Sequence, residues 1–155
     1  MISDSGQLAY ELHAAVARLD RAADRILRRE HGISYRRFLP LFMLAEHGAS
    51  SQRNLAEYLN VSEASMSRMA LVLRDSGKLE IRADPDGGNR RRLALTPEGA
   101  ALVRHATQLL AARLETIVEH ADIPAAAYLG YTRALSRALV DADARADATS
   151  TAVIA

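Results

Sequence analysis

One break in an otherwise helical pattern constrains this chain more than any other feature. Up to Ser76, and again from Thr96, apolar residues recur in steps of three and four, the spacing of helices with one buried face. Between them the period drops to two. "KLEIR" (78–82) and "RLALT" (92–96) alternate apolar and polar residues as strands do. "ADPDGGN" (83–89) joins them with a dense run of turn formers. Gly77 stops the helix before the first strand, because glycine tolerates positive φ. Thr96 caps the helix after the second strand. Pro97 takes its first position, where a missing amide costs nothing, and Glu98 lies in its electropositive first turn. The expected fold is mainly α with one small β-hairpin wing.

The helices around this break are legible by the same period. Leu8, Leu12, Val16, Leu19, Ala23, Ile26 and Leu27 predict one long amphipathic helix over 7–30, with Gly32 ending it. Ser34 can cap the next, which carries Phe38, Leu41, Phe42 and Ala45 and stops near Gly48. Pro40 lies inside it and predicts a kink or a late start. "GASSQ" (48–52) reads as a loop with a short extended piece, after which Ser50 or Ser51 caps a short helix with Leu55, Ala56 and Leu59. "NVS" (60–62) is a tight turn, and Ser62 caps a helix that runs to about Ser76. A long helix follows over about 98–121, and Pro124 opens a last one with Tyr128, Leu129, Thr132, Leu135 and Leu139. The polar, alanine-rich tail after Asp141 is expected to fray.

The 155 residues show no internal repeat and no long linker, so a single domain over 1–155 is expected. A net charge of +1 argues neither for nor against nucleic acid, because binding depends on where the charges sit. The chain has no cysteine, which rules out disulfides, thiolate zinc sites and cysteine redox sensing. No apolar run approaches the ~18 residues of a membrane span, and "MISDSGQLAY" lacks the pattern of a secretory signal. No membrane association and a cytoplasmic location are the expectation. His13, His31, His47, His105 and His120 show no metal-ligand spacing, and no metal or other cofactor is expected. There is no phosphate-cradling loop, and "DGGN" sits on a hairpin tip rather than between strand and helix, so the chain reads as no enzyme.

Two short helices joined by a three-residue turn make a helix-turn-helix, whose second helix can lie in a major groove of double-stranded DNA. The side chains on its amino-terminal half are Ser62, Glu63, Ala64, Ser65, Ser67 and Arg68. Small hydroxyls allow close approach, Ala64 can meet a thymine methyl, and Arg68 can grip guanine or a phosphate. Glu63 needs a cytosine amine or a nearby arginine to sit beside phosphates. The hairpin adds Arg82, Arg90, Arg91 and Arg92, a basic ribbon able to follow the backbone and put an arginine into the minor groove.

At these residues the chain resembles the MarR family of winged-helix transcriptional regulators. The likeness rests on "LAEYLNVSEASMSRM" for the helix-turn-helix, "LRDSGKLEIRADPD" for the turn into the wing and "LALTPEGAALV" for its exit, and extends over about residues 5–143. Lys78 stands where the family usually has leucine. Gly87, Gly88 and Asn89 align with the family's wing Asp-Arg-Arg, with Arg90, Arg91 and Arg92 just behind; Asp84 or Asp86 is left to replace the aspartate. The resemblance implies a winged helix-turn-helix over about 34–96, flanked by dimerisation helices over about 6–31 and 97–143. It implies a homodimer that represses transcription from an inverted-repeat operator and is released by a small aromatic ligand. By position, the ligand candidates are Tyr10, His13, Tyr35, Arg36, Phe38, Met43 and His47. The competing reading is a winged-helix protein-interaction module that has lost DNA binding.

Overall fold

The computed structural model describes residues 3–83 and 91–153. Helix α1 spans Asp4–His31, α2 Tyr35–His47, α3 Gln52–Tyr58, α4 Glu63–Asp75, α5 Pro97–His120 and α6 Ala125–Val153. Strands β1 (Ser50–Ser51), β2 (Leu79–Ala83) and β3 (Arg91–Leu95) form one antiparallel sheet in the order β1-β3-β2. The mainly α fold with a small β-hairpin is therefore the one observed. The chain forms two compact units, residues 1–110 and 111–155, with the boundary inside α5.

Local chemistry sets the boundaries. Four helices begin on a serine in extended conformation whose hydroxyl accepts an amide of the first turn: Ser3 from Gly6, Ser34 from Arg37, Ser51 from Asn54 and Ser62 from Ser65. Gly32 closes α1 at φ 64°, and Gly77 turns the chain after α4 at φ 71°. The late start expected from Pro40 does not occur. The Ser34 carbonyl accepts the Arg37 and Phe38 amides, and Asp24 Oδ1 accepts the Tyr35 amide at 2.8 Å, so α2 is nucleated ahead of the proline. The extended piece in "GASSQ" is a true strand, with Ser50 opposite Leu93 and Ser51 opposite Arg92. The frayed tail expected after Asp141 is instead helical to Val153, because alternating alanines carry the highest helix propensity.

The core belongs to the first unit. Among the described residues every buried hydrophobic side chain lies between Leu27 and Ala106, and Leu27, Leu41, Met66, Leu73, Leu79 and Leu93 are the largest fully buried ones. Residues alternate across the sheet as its period demands: Leu79 faces Leu95 and Ile81 faces Leu93 on the core side, while Glu80 faces Ala94 and Arg82 faces Arg92 on the other. The wing is pinned at its base. Thr96 Oγ1 donates to the Gly77 carbonyl at 2.6 Å and accepts the Gly99 amide at 3.0 Å. Lys78, where the resembled family has leucine, reaches Glu98 at 2.5 Å and the Ser76 carbonyl at 3.1 Å. A Cβ on Gly99 would lie 1.9 Å from the Lys78 carbonyl oxygen, so only glycine lets α5 approach this turn.

In the second unit the described side chains are nearly all exposed. Leu114, Ile117, Tyr128, Leu129, Leu135 and Leu139 are each at least 40% accessible. Among the described residues no helix is long and apolar enough to cross a membrane.

Candidate nucleic-acid interface

Helix α4 has two faces by construction. Met66, Ala70 and Leu73 are buried, which turns Glu63, Ala64 and Arg68 outward, with Ser65 and Ser67 half-buried at the margins. Ser62 Oγ accepts the Ser65 amide at 3.2 Å and donates to Ser65 Oγ at 2.9 Å; Arg68 Nη2 donates to the same Ser65 hydroxyl at 3.5 Å. Ser62, Ser65 and Arg68 thus form a linked row along one edge of the exposed face. The row leans Arg68 toward the start of the helix, where a recognition helix meets base edges.

The cation on the helix before Glu63 is Arg53, and its ion pair is with Glu57. Arg53 on α3 donates to Glu57 at 2.9 Å, and this bond, then the charges of Glu57 and Glu63, hold its guanidinium above the ordinary arginine range. Glu63 itself has no ion pair among the described residues, and Arg53 is a residue that sequence reading passed over. The signal was the Arg53–Glu57 spacing of four on a short helix.

The hairpin arginines are placed unequally. Arg82 is exposed and ion-paired to Glu80 on its own strand. Arg92 lies directly opposite Arg82 and is half-buried, while Arg91, opposite Ala83, is exposed at the end of the described strand. Arg90 lies outside the described residues, as do Asp84, Asp86 and the glycines between the strands. Helix α4 and β2 pack together, so Arg82 and Arg68 belong to one module.

The seven ligand candidates are not gathered at one place in the chain. Phe38 is buried in the core and stacks with half-buried Tyr35 at a centroid distance of 6.5 Å. Burial, then the charge of Asp20, pushes the Tyr35 hydroxyl above its ordinary pKa. Tyr10 and His13 are exposed on α1. Met43 and His47 line a small apolar hollow of about 220 Å³ with Ser50, Asn54, Leu55 and Tyr58, where the His47 and Tyr58 rings lie 5.7 Å apart. Arg36 lines a different hollow, of about 290 Å³, with Ser34, Arg37, Ser65, Arg68 and Met69. Among the described residues no group of three or more His, Asp or Glu side chains could hold a metal ion.

No protein-family model and no curated protein matches the sequence. Solved structures do match the fold. The multiple antibiotic resistance repressor MarR is 22% identical, with a TM-score of 0.74 over 83% of this chain and 94% of that one. The transcriptional regulator BldR of Sulfolobus solfataricus is 18% identical, with a TM-score of 0.72 over 84% and 94% of the two chains. NadR, solved in complex with 4-hydroxyphenylacetate, is 21% identical, with a TM-score of 0.66 over 77% and 84%.

Proposed function

From a chain that has the winged-helix fold of the MarR-family regulators, we propose that this protein is a homodimeric, sequence-specific DNA-binding transcriptional regulator, acting as a repressor. One observation carries the reading: the linked row Ser62–Ser65–Arg68 on the outward face of α4, in the same module as an arginine-bearing strand pair. A row of hydroxyls ending in a guanidinium suits the major groove, where arginine can grip guanine O6 and N7. Arg82, Arg91 and Arg92, with Arg90 beside them in sequence, supply backbone contacts. The exposed leucines of α6 and the apolar residues of α1 call for a second copy. A two-fold dimer would carry two α4 helices to half-sites about 10 bp apart, so the operator is an inverted repeat.

Selection of random duplexes by the purified protein tests this. Enrichment of an inverted repeat with that spacing is expected; no enrichment at any salt concentration overturns it. The module that has lost DNA binding is the second reading, favoured by the Glu80 carboxylate that neutralises Arg82. If Arg68→Ala and Arg90→Ala both leave binding to every duplex unchanged, that second reading takes over. Release by a small aromatic acid extends the proposal. It is supported by NadR, which was solved with such an acid bound, and by the apolar hollow at Met43, His47 and Tyr58.

A further inference from the structure

Helix α2 breaks a local rule. Its first turn holds no acid and instead carries Arg36 and Arg37, where the helix dipole disfavours positive charge. No compensation is visible. Among the described residues no carboxylate lies within ion-pair distance of Arg36, Arg37 or Arg68; exposed arginines such as Arg18 and Arg25 are likewise unpaired, but they do not sit in the first turn of a helix. On the neighbouring helix α1, Asp24 binds Arg28 and the Tyr35 amide, and the charge of Asp20 is felt at Tyr35, but neither acid pairs with Arg36 or Arg37. The amino end of α2 is itself satisfied, with Tyr35's amide on Asp24 and Arg37's on Ser34. What remains unmet is guanidinium charge.

The three arginines share one place. Arg36 and Arg37 from α2 and Arg68 from α4 surround the hollow of about 290 Å³, with the Ser34 and Ser65 hydroxyls in its lining. All three arginines are exposed. A rule broken at a cost to the helix, with no gain inside the chain, points to a partner outside it. The partner must be anionic, small enough for the hollow, and suited to several guanidinium forks, which describes a tetrahedral phosphate. Arg68 lies on the proposed reading face, so the phosphate that can reach both helices is one in the DNA backbone beside the half-site.

We propose that this hollow seats one backbone phosphate of the bound duplex, clamped by Arg36 and Arg37 beside the base-reading Arg68, and so sets the depth and register of α4 in the groove. The inference rests on the DNA-binding reading above and adds to it a second contact element, α2. Its contribution is independent of base sequence.

The test uses the full chain and its selected duplex, with binding measured across salt for wild type and for the double variant Arg36→Ala/Arg37→Ala. The double variant should bind roughly tenfold or more weakly. It should lose a similar factor on an unrelated duplex, keep its base preferences, and show a log–log salt slope shallower by about 1 per half-site. Its melting temperature should equal or exceed that of wild type, because adverse charge leaves the first turn of α2. Duplexes carrying a single neutral methylphosphonate, walked along the site, should reveal one position whose neutralisation weakens wild type but not the double variant.

Unchanged affinity and slope in the double variant overturn the phosphate seat, as do methylphosphonate losses that stay additive with the variant at every position. A clear drop in melting temperature also overturns it, since the arginines would then serve folding. Failure of wild type to bind any duplex is a different result, for it removes the DNA-binding reading itself.

Discussion

The two units solve the problem of apolar surface in opposite ways. Among the described residues, 1–110 contain every buried hydrophobic side chain, drawn mainly from α1 through α5 and from two of the three strands. In residues 111–145 the described side chains bury none of their leucines, isoleucines or tyrosines, although they carry them at helical spacing. The first unit holds a core of its own. The second is a pair of amphipathic segments whose apolar stripe needs a counterpart. Within the first unit the same contrast recurs in α1. Leu27 is fully buried near its end, while Leu8, Val16 and Leu19 toward its start stay about half accessible.

The largest effect should come from attacking that unmet stripe. Leu135→Asp with Leu139→Asp, both exposed and one turn apart on α6, should convert a dimer into a monomer in sedimentation or light scattering. Operator affinity should then fall by about 100-fold or more, because the two half-sites are no longer bound as one event. A wild-type protein that is monomeric at micromolar concentration would break the comparison outright. Next come changes inside the first unit. Leu93→Ala removes a fully buried side chain from the central strand β3 and should cost about 2–5 kcal/mol in chemical denaturation. Gly99→Ala should fall in the same range, because its Cβ meets backbone that cannot swing aside. The dimer variant should leave the melting of the winged module nearly intact, whereas these two should not.

These regions also differ in how far their sequence could be read. Caps and stops are local, so Ser34, Ser62, Thr96, Gly32 and Gly77 announced the winged module's element boundaries, and the strand pairing followed from period two. The third strand was only hinted at, since the register of Ser50 and Ser51 depends on β3, some 40 residues later. The length of α6 was misjudged because a polar stretch was weighed above its alanine content. The outward face proposed for binding was legible where one helix sufficed, from Ser62 to Arg68. It was illegible where it depends on two elements meeting, as with Arg37 and Arg68 lining one hollow. The wing arginines were found by type, but their inequality, with Arg82 paired and Arg91 exposed, is a matter of strand register.

On the reading face itself, Arg68→Ala should weaken the selected operator by roughly 10- to 100-fold, about 1–3 kcal/mol, and relax preference at one base position. A uniform loss on all duplexes would instead reassign Arg68 wholly to phosphate. Ser62→Ala removes the cap of α4 and the anchor of the Ser65–Arg68 row. It should cost about 1 kcal/mol of stability, with operator binding reduced beyond what the melting shift explains.

The smallest effect tests the seam between α1 and the winged module. Asp24 accepts from Arg28 at 2.6 Å and from the Tyr35 amide at 2.8 Å; these bonds, the Arg28 one first, hold its carboxyl below the ordinary 3.8. The unfolded chain therefore binds a proton at Asp24 at higher pH than the folded chain does. Stability from this group is fully present above the ordinary carboxylate pKa and is lost as pH falls through the lowered, folded value. Asp24→Asn keeps an oxygen for the Tyr35 amide but gives up the charge. Its melting temperature should fall slightly at neutral pH, and the difference from wild type should close as the buffer is taken below pH 3.8. A constant difference across that range would mean that the amide bond, not the carboxylate charge, ties α1 to the start of α2. The joint would then be insensitive to acid and salt, like the buried core on one side of it and unlike the exposed helix surface on the other.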